Sequence, residues 1–158
     1  MAYAHDNLVI LGLGLIGGSL ARALRETGFC KRFIGYGYRE PSLRRGVELG
    51  VIDEFTLDLA EAVDKADIMV ICTPTLAAAD LMPDLLPLAA GEGGPVITDA
   101  ASVKGNLRDA AVAVHGSMPP RLVLGHPIAG SERSGVEASD AGLYRNHRVI
   151  LTPEAGND

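Results

Sequence analysis

Three glycines and one histidine carry most of the chemistry available to this sequence. Gly12-Leu13-Gly14-Leu15-Ile16-Gly17 has the spacing of a loop that cradles phosphates. Gly12 permits a tight turn, Gly14 lets a pyrophosphate approach bare backbone, and Gly17 lets a helix pack close to a sheet. The unpaired N–H groups at such a helix start, those of Leu15 and Ile16 among them, favour phosphate charge together with the helix dipole. The alternative is a glycine-rich turn that binds nothing. His126 stands between Gly125 and Pro127, which restrain its backbone and aim its ring. An imidazole with an ordinary pKa of about 6.5 accepts a proton near neutral pH. The alternative is a satisfied structural histidine. Ser102 either offers a hydroxyl to a substrate or caps a helix. Glu132 either orients His126 or a substrate group, or is a surface carboxylate. Lys104 either attracts a phosphate or carboxylate, or lies in solvent. His5, in a loose terminus, His115, at a helix end, and His147 read as structural.

These residues need elements to position them. Leu8-Val9-Ile10-Leu11 runs apolar into Gly12, as a strand buried on both faces does. Leu15, Ile16, Leu20, Ala23 and Leu24 then recur at helical spacing, and Gly28 ends the helix. The glycine loop therefore lies between a strand and a helix, the setting a dinucleotide fingerprint requires. Phe33 to Tyr36 reads as a second strand. A short helix with Pro41 in its first turn and Gly50 at its end follows. A short strand near Phe55 and a helix over Leu59 to Ala66 come next. Asp67 to Cys72 is the clearest central strand, stopped by Thr73-Pro74. Leu76 to Leu88 has helical spacing interrupted at Pro83. Pro95 to Thr98 is a strand, Ser102 to Val114 a helix, Leu122 to Leu124 a short strand, and Arg148 to Leu151 a last strand. A long polar loop joins Pro127 to Gly142.

Strands alternating with helices predict an α/β fold of the Rossmann type: a doubly wound, mostly parallel sheet with helices on both faces. Ligands bind such sheets at the carboxyl ends of the strands. Gly12, Gly37, Thr73-Pro74, Asp99 and His126 all follow strand ends, so the polar and special residues collect on one edge. Thr73, Pro74 and Asp99 thereby join the glycines as candidate coenzyme contacts. An acid at the end of the second strand would bond the ribose hydroxyls of NAD. Gly37 holds that place, followed by Tyr38 and Arg39. Without a carboxylate there is no repulsion against a 2′-phosphate, and Arg39 could bind one, with Arg44 and Arg45 further on. The alternative for these arginines is a solvated helix face.

Composition narrows the function classes. A chain of 158 residues is long enough for one domain with a proper core. A net charge of −6 argues against a nucleic-acid surface. No apolar run reaches membrane-span length, and Met1 to Asp6 lacks the pattern of a signal peptide. Cys30 and Cys72 have no metal or redox spacing, which suits two reduced thiols and a cytoplasmic location. No metal site is expected.

Three segments together carry a resemblance. Gly12 to Leu20, Thr98-Asp99-Ala100-Ala101-Ser102-Val103-Lys104, and Gly125-His126-Pro127-Ile128-Ala129-Gly130-Ser131-Glu132-Arg133-Ser134-Gly135-Val136 resemble the prephenate/arogenate dehydrogenase family of tyrosine biosynthesis, and Val149 to Pro153 fits as well. The resemblance covers essentially the whole chain. The first segment is common to many dehydrogenases, whereas the last is far more specific. It implies that His126 is the catalytic histidine, which takes the proton of the substrate's ring hydroxyl. Ser102 matches a serine that contacts the same hydroxyl, and Glu132 an acidic position at the mouth of the active site. It further implies prephenate or arogenate as substrate and NAD or NADP as coenzyme.

Two departures stand out. Gly37 replaces the acid the family often has after its second strand. The family also has a helical C-terminal domain that completes the substrate pocket, supplies an arginine and forms a homodimer. The expected organisation is therefore a dinucleotide-binding domain over residues 1–153, with 154–158 beginning a linker to that absent domain. Such an isolated domain is expected to bind coenzyme and to be inactive. Two other readings compete: a β-hydroxyacid-type dehydrogenase on the same scaffold, and a non-catalytic nucleotide-sensing module.

Overall fold

Alternation of apolar side chains between two faces builds the centre of the molecule. In the computed structural model, which describes residues 2–158, the first strand, β1 (His5–Leu11), sends Leu8 and Ile10 to one face of the sheet and Val9 and Leu11 to the other. All four are essentially inaccessible to solvent. The chain continues through α1 (Leu15–Thr27), β2 (Cys30–Tyr36), α2 (Glu40–Glu48), β3 (Glu54–Thr56), α3 (Leu59–Lys65), β4 (Ile68–Ile71), α4 (Thr75–Ala89), β5 (Val96–Asp99), α5 (Gly105–His115), β6 (Leu122–Pro127) and β7 (Val149–Thr152). A single 3-10 turn, Val136–Ala138, interrupts the long loop before β7.

The seven strands form one sheet in the order β3-β2-β1-β4-β5-β6-β7. All neighbours pair in parallel except β6 and β7. Leu8, Ile10, Phe33, Leu43, Ile52 and Val136 build the core on the side of α1 and α2. Val9, Leu11, Met69, Leu85, Leu107 and Leu122 build the other, beneath α3, α4 and α5. This is the doubly wound Rossmann arrangement expected from the alternating elements.

Four local expectations need correction. Helix α4 runs unbroken through Pro83 and Pro87. Both prolines are exposed and stand four residues apart on one side of the helix, away from the buried Leu81, Met82, Leu85 and Leu86. Helix α5 begins at Gly105, three residues after Ser102, with Lys104 at its N-cap position and no side-chain cap. Ser102 is therefore not a cap. His5 is not in a loose terminus: it opens β1, pairs with Cys30 and packs its ring 5.1 Å from that of Phe29. Strand β6 extends through His126 to Pro127, because β7 runs antiparallel beside it and pairs Ile150 with His126.

Candidate functional site

The strand order reverses between β1 and β4, since α1 leads to β2 on one side and β4 continues on the other. A crevice opens there at the carboxyl ends of the strands. Gly12 makes the turn out of β1 at φ +92°, and a Cβ there would lie 2.8 Å from Thr73 Cγ2 and 2.9 Å from Thr73 N. At Gly17 a Cβ would lie 2.7 Å from Ile10 Cγ2, so α1 sits as close to the sheet as backbone allows. Above Gly14 the space is open to at least 4 Å. The first helical bond runs from Gly18 N to Gly14 O, 2.9 Å. The N–H groups of Leu15, Ile16 and Gly17 precede it, and no side chain caps them. They face the open space with the positive end of the helix dipole, a ready anion site. Substituting Gly12→Ala is expected to cost about 1–3 kcal/mol of stability, because it forces a side chain into left-handed backbone against Thr73. An unchanged urea midpoint would refute this account of the turn.

A cleft of about 540 Å³ extends from this turn toward the end of β2. Gly12, Gly14, Gly37, Arg39, Thr73 and Pro74 all line it, as expected from their strand-end positions. Thr73 Oγ1 is buried there without a hydrogen-bond partner among the described residues. A hydroxyl left so is costly unless a ligand or water supplies the bond. The open backbone above Gly14, the free N–H groups and this orphaned hydroxyl together fit a dinucleotide.

The long loop before β7 closes the far side of the cleft, and the sequence reading missed this. Ser134 and Gly135 line the cleft opposite the glycine loop. Val136 is buried in the core between α1 and α2. Asp140 N donates to Ser19 Oγ at 2.9 Å, and Arg22 Nε donates to Ser139 Oγ at 2.8 Å. Tyr144 Oη donates to Ile16 O at 2.7 Å, holding the first turn of α1 from the same loop. Burial pushes the Tyr144 phenol well above its usual range, so it stays a donor.

The candidate chemistry lies one step along the same edge. His126 is half-buried on β6, next to β5 in the sheet. Ser102 is exposed in the turn after β5, and Glu132 is exposed in the loop after β6, with Ser131 Oγ 3.5 Å from its Oε2. The topology thus gathers His126 and Ser102 at one end of two adjacent strands.

Asp99 takes a different place from the coenzyme contact expected of it. It does not line the cleft; its side chain is fully buried between β5 and β6. Its carboxylate accepts from Gly125 N at 2.9 Å, from Ala101 N at 3.0 Å and from Lys104 Nζ. Lys104 Nζ also donates to Gly125 O. Lys104 is therefore neither a solvated charge nor a free anion site. Both backbone groups of Gly125 are held by this ion pair, one residue before His126. Arg44 and Arg45 are also engaged, Arg44 with Glu40, and Arg45 with Glu48 at 3.1 Å and Glu137 at 3.7 Å.

Neither cysteine is in a disulfide; Cys30 is buried and Cys72 is half-buried on the cleft. Burial, with help from Asp67 and Asp6, pushes Cys30 from 9.0 to about 11, and burial beside Asp99 pushes Cys72 to about 12. Because the folded values are raised, the stability this contributes is complete below pH 9.0 and is lost as pH rises through 11 and 12. We expect iodoacetamide at neutral pH to leave both unmodified in the folded chain and to label both in urea, as read by mass spectrometry. Among the described residues, no cluster of three acid, histidine or cysteine side chains is placed to hold a metal, and no helix is long and apolar enough to cross a membrane.

Strand order, glycine turn and cleft define a dinucleotide-binding domain of the Rossmann type. Within that class, the chain belongs to the family described as prephenate dehydrogenase, nucleotide-binding domain, whose model matches residues 20–158. A curated relative, the prephenate dehydrogenase of Bacillus subtilis, is 36% identical over all of this chain and 42% of its own length. Among solved structures, prephenate dehydrogenase from Aquifex aeolicus in complex with hydroxyphenyl propionate and NAD+ superposes with a TM-score of 0.87 at 36% identity, covering 100% of this chain and 54% of that one. Arogenate dehydrogenase from Synechocystis superposes with a TM-score of 0.82 at 30% identity, covering 96% and 51%. The chain thus spans about half the length of the relatives it matches.

Proposed function

We propose that this chain is the coenzyme-binding part of an NAD(P)-dependent dehydrogenase that oxidatively decarboxylates prephenate or arogenate. One observation carries the reading. The single segment from Gly125 to Val136 places His126 at a strand end and also lines the coenzyme cleft through Ser134 and Gly135. A nucleotide-sensing module would need the cleft but not the histidine. The names of the relatives, prephenate and arogenate dehydrogenases, supply the substrate class.

The work of the residues follows from their places. The glycine loop and the start of α1 would hold the pyrophosphate, and Thr73 Oγ1, buried on the cleft, would gain the bond it lacks among the described residues. The bound coenzyme supplies the hydride acceptor. His126 accepts the proton of the ring hydroxyl as hydride leaves the carbon that bears it. Carbon dioxide departs, the ring becomes aromatic, and the phenolate oxygen so formed takes back the proton that His126 holds. Ser102 donates a hydrogen bond to the same oxygen, and Glu132 sits at the mouth of the site. Aromatisation supplies the driving force, so the protein mainly positions groups and removes a proton.

The substrate's carboxylates need cationic partners. We assign them to a further helical domain of the whole protein, which would also form its homodimer. The solvent-exposed apolar residues Val149, Ile150 and Leu151 on the edge strand β7 suit such a neighbour. The test is to incubate the full-length protein with each substrate and coenzyme and follow reduced nicotinamide and carbon dioxide. A full-length protein that binds coenzyme but converts neither substrate would overturn the reading. This chain alone is expected to bind coenzyme with turnover at background, and efficient turnover by it would show that the substrate site has been misplaced.

A further inference from the structure

We infer that the cleft holds a 2′-phosphate subsite built by Arg39 and Ser42, and that the chain therefore prefers the phosphorylated dinucleotide, NADP. The inference rests on the dinucleotide reading of the cleft and adds to it the choice of coenzyme. Its basis is the charge lining the cleft. Among the described residues, Arg39 is the one charged side chain on that lining, and no carboxylate lies there at all. The space beyond Gly37, where an acid would reach the ribose, is open to at least 4 Å. A coenzyme whose ribose carries only hydroxyls finds no acidic acceptor at this position.

The other nearby charges are already spent. Glu40, the first acid after β2, is tied to Arg44 on the outer face of α2. Arg45 bridges Glu48 and Glu137. Arg39 has neither an ion pair nor a side-chain hydrogen bond among the described residues, so its guanidinium is available to a phosphate and suits one geometrically. Ser42 lies one turn further on, half-buried on the same cleft, and its hydroxyl also makes no hydrogen bond among the described residues. Ser42 N donates to Arg39 O at 3.1 Å, which fixes the two residues against each other at the start of α2. A planar cation, a free hydroxyl and the lack of any competing carboxylate form a site for a dianion in a protein of net charge −6.

The experiment is calorimetric titration of the chain with NADP+, NAD+, 2′,5′-ADP and 5′-ADP, for the native sequence and for Arg39→Ala, Ser42→Ala and Gly37→Asp. NADP+ and 2′,5′-ADP should bind roughly 10- to 100-fold tighter than their counterparts without the phosphate, as one or two charge-assisted hydrogen bonds imply. Arg39→Ala should remove most of that ratio and leave NAD+ affinity within about threefold, since the pyrophosphate site is untouched. Ser42→Ala should remove a smaller part. Gly37→Asp should reverse the preference by repelling the phosphate and accepting from the ribose hydroxyls. Arg39 is exposed, so its variant should melt with the native chain, which a circular dichroism scan checks. Equal affinity for the two coenzymes, or an Arg39→Ala variant with an unchanged ratio, overturns the subsite while leaving the dinucleotide reading intact. Binding of none of the four probes overturns both.

Discussion

Replacing His126 with asparagine in the full-length protein is expected to lower turnover at least 100-fold, roughly the lower bound for losing a general base. Asparagine is smaller but keeps a nitrogen donor near the place of the ring's Nδ1 and can still hydrogen-bond, although it cannot take a proton. The backbone should not move, because Gly125 is held through Asp99 and Lys104, and His126 pairs with Ile150 whatever its side chain. Coenzyme affinity should change little, since His126 does not line the cleft. The expected signature is thus a collapse of kcat with a nearly constant coenzyme Kd. Ser102→Ala should cost less, because it removes one hydrogen bond and leaves the base. Native turnover in His126→Asn would refute the assignment.

The parts of the fold legible in the sequence are those where local pattern and tertiary packing agree. The uninterrupted apolar runs of β1 and β4, with the helical spacing of α1, are the pattern of a sheet covered on both faces. The misread boundaries fall where a distant partner decides. Pro83 is tolerated in α4 because its side of the helix is exposed, which spacing alone does not reveal. Strand β6 is lengthened by β7, whose pairing partner comes more than twenty residues later. His5 is ordered by pairing with Cys30 across the sheet.

The site divides in the same way. The glycine turn, Gly37, Arg39 and Thr73 could be placed from sequence because strand ends share an edge in this architecture. Ser134 and Gly135 could not, because their arrival at the cleft depends on contacts spanning over a hundred residues, from Ser139 to Arg22 and from Tyr144 to Ile16. One signal was nevertheless present. Gly18 and Ser19 follow the fingerprint directly, and a Cβ at Gly18 would lie 2.9 Å from Ser139 Cβ. A small residue there is what allows a loop to lie across α1. Asp99 was misjudged for a related reason: a strand-end acid can face a ligand or turn inward to hold a neighbouring strand, and only the burial distinguishes the two.

That inward turn leads to the second large effect expected. Asp99→Ala should destabilise the chain by about 3 kcal/mol, near the lower end for breaking a buried ion pair, because Lys104 keeps some contact with water. The loss has three parts. Lys104 Nζ is left with a carbonyl as its remaining partner. The N–H groups of Gly125 and Ala101 lose their acceptor in a place water reaches poorly. The link between the end of β5 and the end of β6 is cut. Lys104→Met should cost less, since the carboxylate would keep two N–H donors. Asp99→Asn should fall between them, because one amide oxygen replaces two carboxylate oxygens. Chemical denaturation ranks the three variants. Because the link ends one residue before His126, the Asp99→Asn enzyme should also lose kcat at temperatures where it is fully folded, with coenzyme Kd unchanged. A variant that is destabilised yet retains native kcat would confine the pair to stability and leave His126 positioned by β7 alone.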